Sequence, residues 1–190
     1  GLRYAVRRNG VPPNQMSIRV RIDAGSLMEE DSEQGFAHLI EHLSFKQSKY
    51  LGEGEAIRAW QRLGATFGSD TNAETTPTQT VYKLDLPNID AAKLDETFKL
   101  LSGMIAWPTL SEAGVRSEVP VVLAEMRERN GASARVVDAT RALYFRDQRL
   151  AVRAPIGAGT DPRPNADTDP QPLRGPGPDD RRVDDGWHDA

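Results

Sequence analysis

Two of the three histidines in this 190-residue chain, His38 and His42, stand four positions apart, with Glu41 directly before the second. On a helix these residues occupy positions i, i+3 and i+4, so all three side chains project from one face about one turn apart. Two imidazoles at that spacing can clamp one divalent ion, and neutral imidazole nitrogen suits zinc. A carboxylate one residue before the second imidazole can reach a metal-bound water as general base without ligating the metal itself. That is the arrangement of the inverted zincin motif, His-x-x-Glu-His. The blander explanation, a salt-linked amphipathic helix, leaves unexplained why the motif takes two of only three histidines.

A tetrahedral site needs a further protein donor. The chain has no cysteine, and the remaining histidine, His188, sits in a Pro/Asp-rich tail where no role is expected for it. A carboxylate must therefore complete the set. Glu118 and Glu125 are seven residues apart, two turns along one face of a helix expected over about 111–129. The apolar run 119–123 between them is expected to embed both in the core, where a carboxylate needs a partner. Spacing alone does not choose between the two, nor between a ligand and an ordinary exposed acid.

Alternating apolar and polar residues predict strands at 2–8 and 16–24, and β-branched alternation predicts two more within 66–86, interrupted near Pro77. The acidic stretch from Glu29 to Glu33 favours a helix start near Ser32, because carboxylates stabilise the positive end of the macrodipole. That helix carries the histidines. Further helices are expected at about 53–63, ended by Gly64, at 90–106, stopped by Trp107-Pro108, and at 134–145. Pro120 inside the 111–129 helix predicts a local kink or a late start. From Asp161 onward the chain holds six of its thirteen prolines and few large apolar residues, so 160–190 reads as a disordered tail beyond a domain at 1–159.

Composition narrows the function classes. With 38% apolar and 27% charged residues and a net charge of −4, the chain has no basic excess for nucleic acid and no apolar run long enough for a membrane span. The lack of cysteine excludes disulfide scaffolds, thiolate metal sites and cysteine nucleophiles, and is compatible with periplasm or cytoplasm. The first residue is Gly1, which reads as a processed product or a piece of something longer.

Three separated blocks resemble the insulinase/pitrilysin family of zinc metallopeptidases in order and spacing. They are Gly35-Phe36-Ala37-His38-Leu39-Ile40-Glu41-His42-Leu43-Ser44-Phe45, then Asn72-Ala73-Glu74-Thr75 with Thr80-Val81-Tyr82, then Glu118 to Glu125. The early stretches Gly1-Leu2-Arg3-Tyr4 and Ala24-Gly25-Ser26-Leu27-Met28 are similar to a bacterial, often periplasmic subgroup. The resemblance implies an α+β domain with an antiparallel-rich sheet and helices packed on one face. It implies one zinc ion per chain on His38, His42 and Glu125, with Glu41 as the water-activating base and Glu118 as a carboxylate orienting a histidine. Asn72, Ala73 and Glu74 map onto an edge strand that binds an extended peptide or unfolded-protein substrate by strand addition, with Glu74 favouring basic or polar substrate side chains.

Two departures accompany the resemblance. Gln47 stands where the family commonly has glycine. After Pro155-Ile156-Gly157 the family continues into elements that finish the domain, then into a second homologous half that closes a chamber over the zinc. Truncation, a divergent end and a reading-frame change all fit the tail. The leading reading is a zinc metalloendopeptidase catalytic half, periplasmic or, alternatively, cytoplasmic, partnered by a second half or a partner chain. The runner-up is a catalytically incomplete fragment of the same fold that serves partner binding or assembly.

Overall fold

Alternation builds the centre of the molecule. The computed structural model describes residues 1–157, with three antiparallel strands, β1 (Met16–Ile22), β2 (Thr71–Thr75) and β3 (Thr80–Leu86), in the order β1-β3-β2. Along β3, Thr80, Tyr82, Leu84 and Leu86 are buried while the residues between them are half-buried, the period of two that a one-sided strand requires. Ile18 lies opposite Leu84, and Ala73 opposite Tyr82, so the apolar faces of neighbouring strands coincide. The other face is paired by charge. Arg19 forks onto Asp85 with two 2.9 Å hydrogen bonds, and Lys83 meets Glu74 at 2.7 Å.

Helices cover the apolar face. Helices α2 (Ala56–Arg62) and α3 (Ala91–Ala106) bring Trp60, Leu63, Leu100, Leu101 and Met104 against Leu84 and Leu86 to form the core. Helix α1 (Phe36–Ser44) packs beside β2 and β3, where Tyr82 Oη donates to Ser44 Oγ at 3.1 Å. Helix α4 (Glu112–Arg129) lies on α1, and α5 (Ala132–Tyr144) follows. This is the expected α+β arrangement, an antiparallel sheet with helices on one face.

Several boundaries differ from the sequence reading, each for a physical reason. Residues 2–8 form no strand. Leu2, Tyr4 and Val6 are 87–90% exposed, because β1 pairs with β3 alone and no ladder takes up the earlier segment. Helix α1 begins at Phe36 rather than near Ser32, since Asp31–Glu33 form a separate 3-10 turn and Gly35 turns the chain at φ +96°. The acid that caps α1 is Glu29, whose carboxylate accepts from Gly35 N at 3.0 Å and Ala37 N at 2.8 Å. Helix α4 does not start late. Its cap is Ser111, whose Oγ accepts from Gly114 N, and it runs through Pro120 without ending. The run 119–123 is only partly enclosed: Val122 is buried, but Val121 is 49% exposed.

Residues beyond α5 return to the start of α1. Arg149 Nη2 donates to Glu29 O, Arg153 Nη2 pairs with Asp31, and Ser26 Oγ donates to Arg153 O at 2.9 Å. A Cβ on Gly35 would lie 3.4 Å from the Gly157 Cα, so the two glycine backbones are in contact. At Gly25 the approach is closer still: an added Cβ would meet Thr76 O at 2.1 Å, and only glycine lets the exit of β1 lie on the β2–β3 turn. The expected tail at 160–190, including His188, lies outside the described residues.

Candidate metal centre

His38, Glu41 and His42 fall on the face of α1 turned toward α4 and β2, because Leu43 and Ser44 on the neighbouring stripe are committed to the interior. Glu118 and Glu125 face α1 from α4. One donor atom from each of His38, His42 and Glu125 falls within 4.8 Å of the others. Glu125 Oε2 lies 3.4 Å from His42 Nε2 and 3.7 Å from His38 Nε2.

Those separations test whether a metal fits. Four donors around a tetrahedral ion at roughly 2.0–2.1 Å stand about 3.3–3.5 Å from one another. The two imidazole–carboxylate edges are therefore close to the required size without rearrangement. Two imidazoles and one carboxylate oxygen are also a donor set that suits zinc better than magnesium or calcium, which take oxygen ligands. His38 is disposed to act as neutral imidazole: burial pushes its pKa down, and the neighbouring His42 adds to that.

The two imidazoles are oriented differently. His42 Nδ1 is 3.0 Å from Glu118 Oε1, leaving Nε2 toward Glu125, which is how an outer carboxylate fixes the ring of a metal-binding histidine. Lys46 Nζ in turn lies 2.8 Å from Glu118 Oε2. Burial works to raise the Glu118 pKa, but the hydrogen bonds and charges of Lys46 and His42 outweigh it and hold the carboxyl below its usual value. The buried His38 Nδ1 has no hydrogen-bond partner among the described residues, and that ring lies edge-on to His42 with centroids 4.6 Å apart.

Glu41 is outside the three-donor group and is 8% exposed. Burial pushes its pKa above the ordinary carboxyl value, against an opposing hydrogen bond from Thr75 Oγ1, which donates to Oε2 at 2.5 Å. All of these residues open onto one cavity of about 790 Å³, lined also by Asn72, Ala73 and Glu74 of β2, a size typical of ligand sites. Among the described residues the sheet ends at β2, so one edge of that strand faces the cavity. Asn72 Oδ1 accepts from Ala73 N at 2.9 Å, which covers one backbone donor with the strand's own side chain. Glu74 carries Lys83 against it, and the hydrogen bond and charge of that lysine hold its pKa down.

Sequence reasoning assigned no role to Thr75, Lys46, Arg129 or Lys83, all of which line the same cavity. Two of them had a legible signal. Arg129 is four residues after Glu125, the spacing at which side chains on one helical face meet, and Lys46 stands just past the end of the histidine helix. Thr75 and Lys83 depend on strand register, which spacing along the chain does not reveal.

A family model described as Insulinase (Peptidase family M16) matches residues 5–154. A probable zinc protease PqqL of Haemophilus influenzae is 36% identical over 157 residues, covering 83% of this chain and 17% of its own length. Among solved structures, the first half of the periplasmic protease PqqL from Escherichia coli superposes with a TM-score of 0.74 at 32% identity, covering 78% of this chain and 32% of that one. The ferredoxin protease FusC in complex with Arabidopsis ferredoxin superposes at 0.71 with 28% identity, over 78% of this chain and 16% of that one. The chain thus spans about a sixth of the length of the PqqL relatives it matches. No helix among the described residues is long and apolar enough to cross a membrane.

Proposed function

The chain belongs to the insulinase family, peptidase family M16, and from that premise we propose that it is the catalytic half of a zinc metalloendopeptidase, with the site carried by residues 1–159. The observation that carries the reading is the convergence of one donor atom each from His38, His42 and Glu125 to within 4.8 Å of one another beside the open edge of β2. One zinc ion per chain would be held by those three residues. When bound, it supplies a Lewis acid that polarises a peptide carbonyl and acidifies water.

The chain's own groups divide the remaining work. Thr75 occupies Oε2 of Glu41, leaving Oε1 to accept a proton from water and return it to the nitrogen of the leaving amine. Burial raises the proton affinity of Glu41 toward what that shuttle needs near neutral pH. Glu118 orients His42 rather than binding metal. An extended peptide would pair along Asn72, Ala73 and Glu74, displacing Asn72 Oδ1 from Ala73 N as it adds to the edge. With Lys83 on Glu74, that acid selects a basic substrate side chain only where the lysine yields. The complex of the FusC neighbour with ferredoxin supports a polypeptide substrate, and the periplasmic PqqL neighbour supports a periplasmic setting.

A second reading rests on the short span: the match covers only 17% of the Haemophilus influenzae relative, so this part binds zinc but needs a second half or partner chain to turn over. Metal content by mass spectrometry with a fluorogenic-peptide assay, with and without chelator, separates the two. One equivalent of zinc with chelator-sensitive cleavage supports the first reading, zinc without cleavage the second, and absence of zinc overturns both.

A further inference from the structure

The two oxygens of Glu125 face different partners. Oε2 is turned to the two imidazoles, whereas Oε1 lies 2.5 Å from Arg129 Nη2. A carboxylate with both oxygens free can close on a metal through one or both; a cation held against the outer oxygen removes that choice. We propose that Arg129 is a positioning residue that makes Glu125 a one-oxygen metal ligand. The inference rests on the reading that His38, His42 and Glu125 hold zinc.

Arg129 ends α4, and a basic residue there also complements the helix dipole. Arg127 provides the internal contrast. It occupies the same last turn and is exposed, but it does not line the cavity and has no carboxylate partner among the described residues. The ion pair also differs from an ordinary surface pair in its acidic member, since the Glu125 side chain is only 25% exposed while that of Arg129 is 67% exposed.

The two roles predict opposite signs. An arginine that only adds positive charge beside the site repels a cation, so its removal would tighten zinc binding. An arginine that holds Glu125 in place strengthens binding, so its removal weakens it. Zinc affinity of the full chain is measured by competition with a chromogenic chelator for wild type, Arg129→Met, Arg129→Lys and Arg127→Met. Arg129→Met is expected to weaken zinc about tenfold, as loss of an outer-shell partner does. Arg129→Lys stays within about threefold of wild type, because the contact is one cation against one oxygen and a flexible ammonium can supply it, and Arg127→Met matches wild type. The cobalt-substituted proteins give a second readout: wild type and Arg129→Lys share strong four-coordinate visible bands, and Arg129→Met shows weaker, shifted bands as the second oxygen joins. Unchanged or tighter zinc binding in Arg129→Met with an unchanged cobalt spectrum overturns the proposal while leaving the zinc reading intact. A wild-type chain that takes up no zinc overturns both.

Discussion

Helices α3 and α4 are of similar length, yet they are held in different ways. Helix α3 buries Thr97, Leu100, Leu101, Gly103 and Met104, with the leucines and Met104 in one cluster with α2 and the sheet. Helix α4 buries only Glu118 and Val122, and α5 after it buries nothing. The sheet with α2 and α3 is therefore a scaffold stabilised by apolar area, and α4 is an arm tied to α1 largely through the charged pairs around His42, Glu118 and Glu125. The histidines belong to the scaffold side and Glu125 to the arm. A metal ion would bridge the two, so its binding energy becomes local folding energy for α4.

The strongest way to break this division is chemical. Glu41→Gln is expected to lower peptide turnover about 10²- to 10⁴-fold while zinc content and melting temperature stay close to wild type. His42→Ala should lose zinc as well, measured by metal analysis. A Glu41→Gln protein with full activity would remove Glu41 from the mechanism.

A packing test follows. Trp60→Ala removes a fully buried side chain from the scaffold and should cost about 3–5 kcal/mol in urea unfolding, whereas Val137→Ala on exposed α5 should stay within about 0.5 kcal/mol. Equal costs would mean that α5 is as firmly packed as the core. Zinc sharpens the same contrast: at about 100 times its dissociation constant it should add about 2.7 kcal/mol of stability. In hydrogen exchange that protection should appear on α4 amides more than on α3.

The smallest effect concerns the charged face of the sheet. The Arg19 hydrogen bonds, assisted by Ser17, outweigh partial burial and hold Asp85 below its usual pKa. With the folded value depressed, its contribution is complete above the unfolded value of about 3.9 and is lost as pH falls from there through the lower folded value. Because both side chains are over 40% exposed, Asp85→Asn should cost only about 0.5 kcal/mol at pH 7 and flatten the acid limb of the stability curve.

What could be read from the chain alone follows the same division. The histidine motif was legible because a helix converts sequence spacing directly into side-chain proximity, and the core face of β3 was legible from its alternation. Residues 2–8 alternate just as well, but a strand exists only where a neighbour pairs with it, and pairing is not a local property. The apolar run 119–123 suggested a buried helix, yet Glu118 is enclosed by α1 and Lys46 rather than by the valines beside it. Thr75 reaches Glu41 only through the register of β2 on β3.

The clasp between residues 149–157 and the loop before α1 has a consequence in time. The histidine helix is made before the clasp can form: Arg149 follows Glu29 by 120 residues, which at about 5–20 residues per second is a wait of roughly 6–24 s. Until then the loop that caps α1 lacks the contacts from Arg149, Arg153 and Gly157. A nascent chain thus displays its two imidazoles well before the elements that fix them, and Glu125 too, are made.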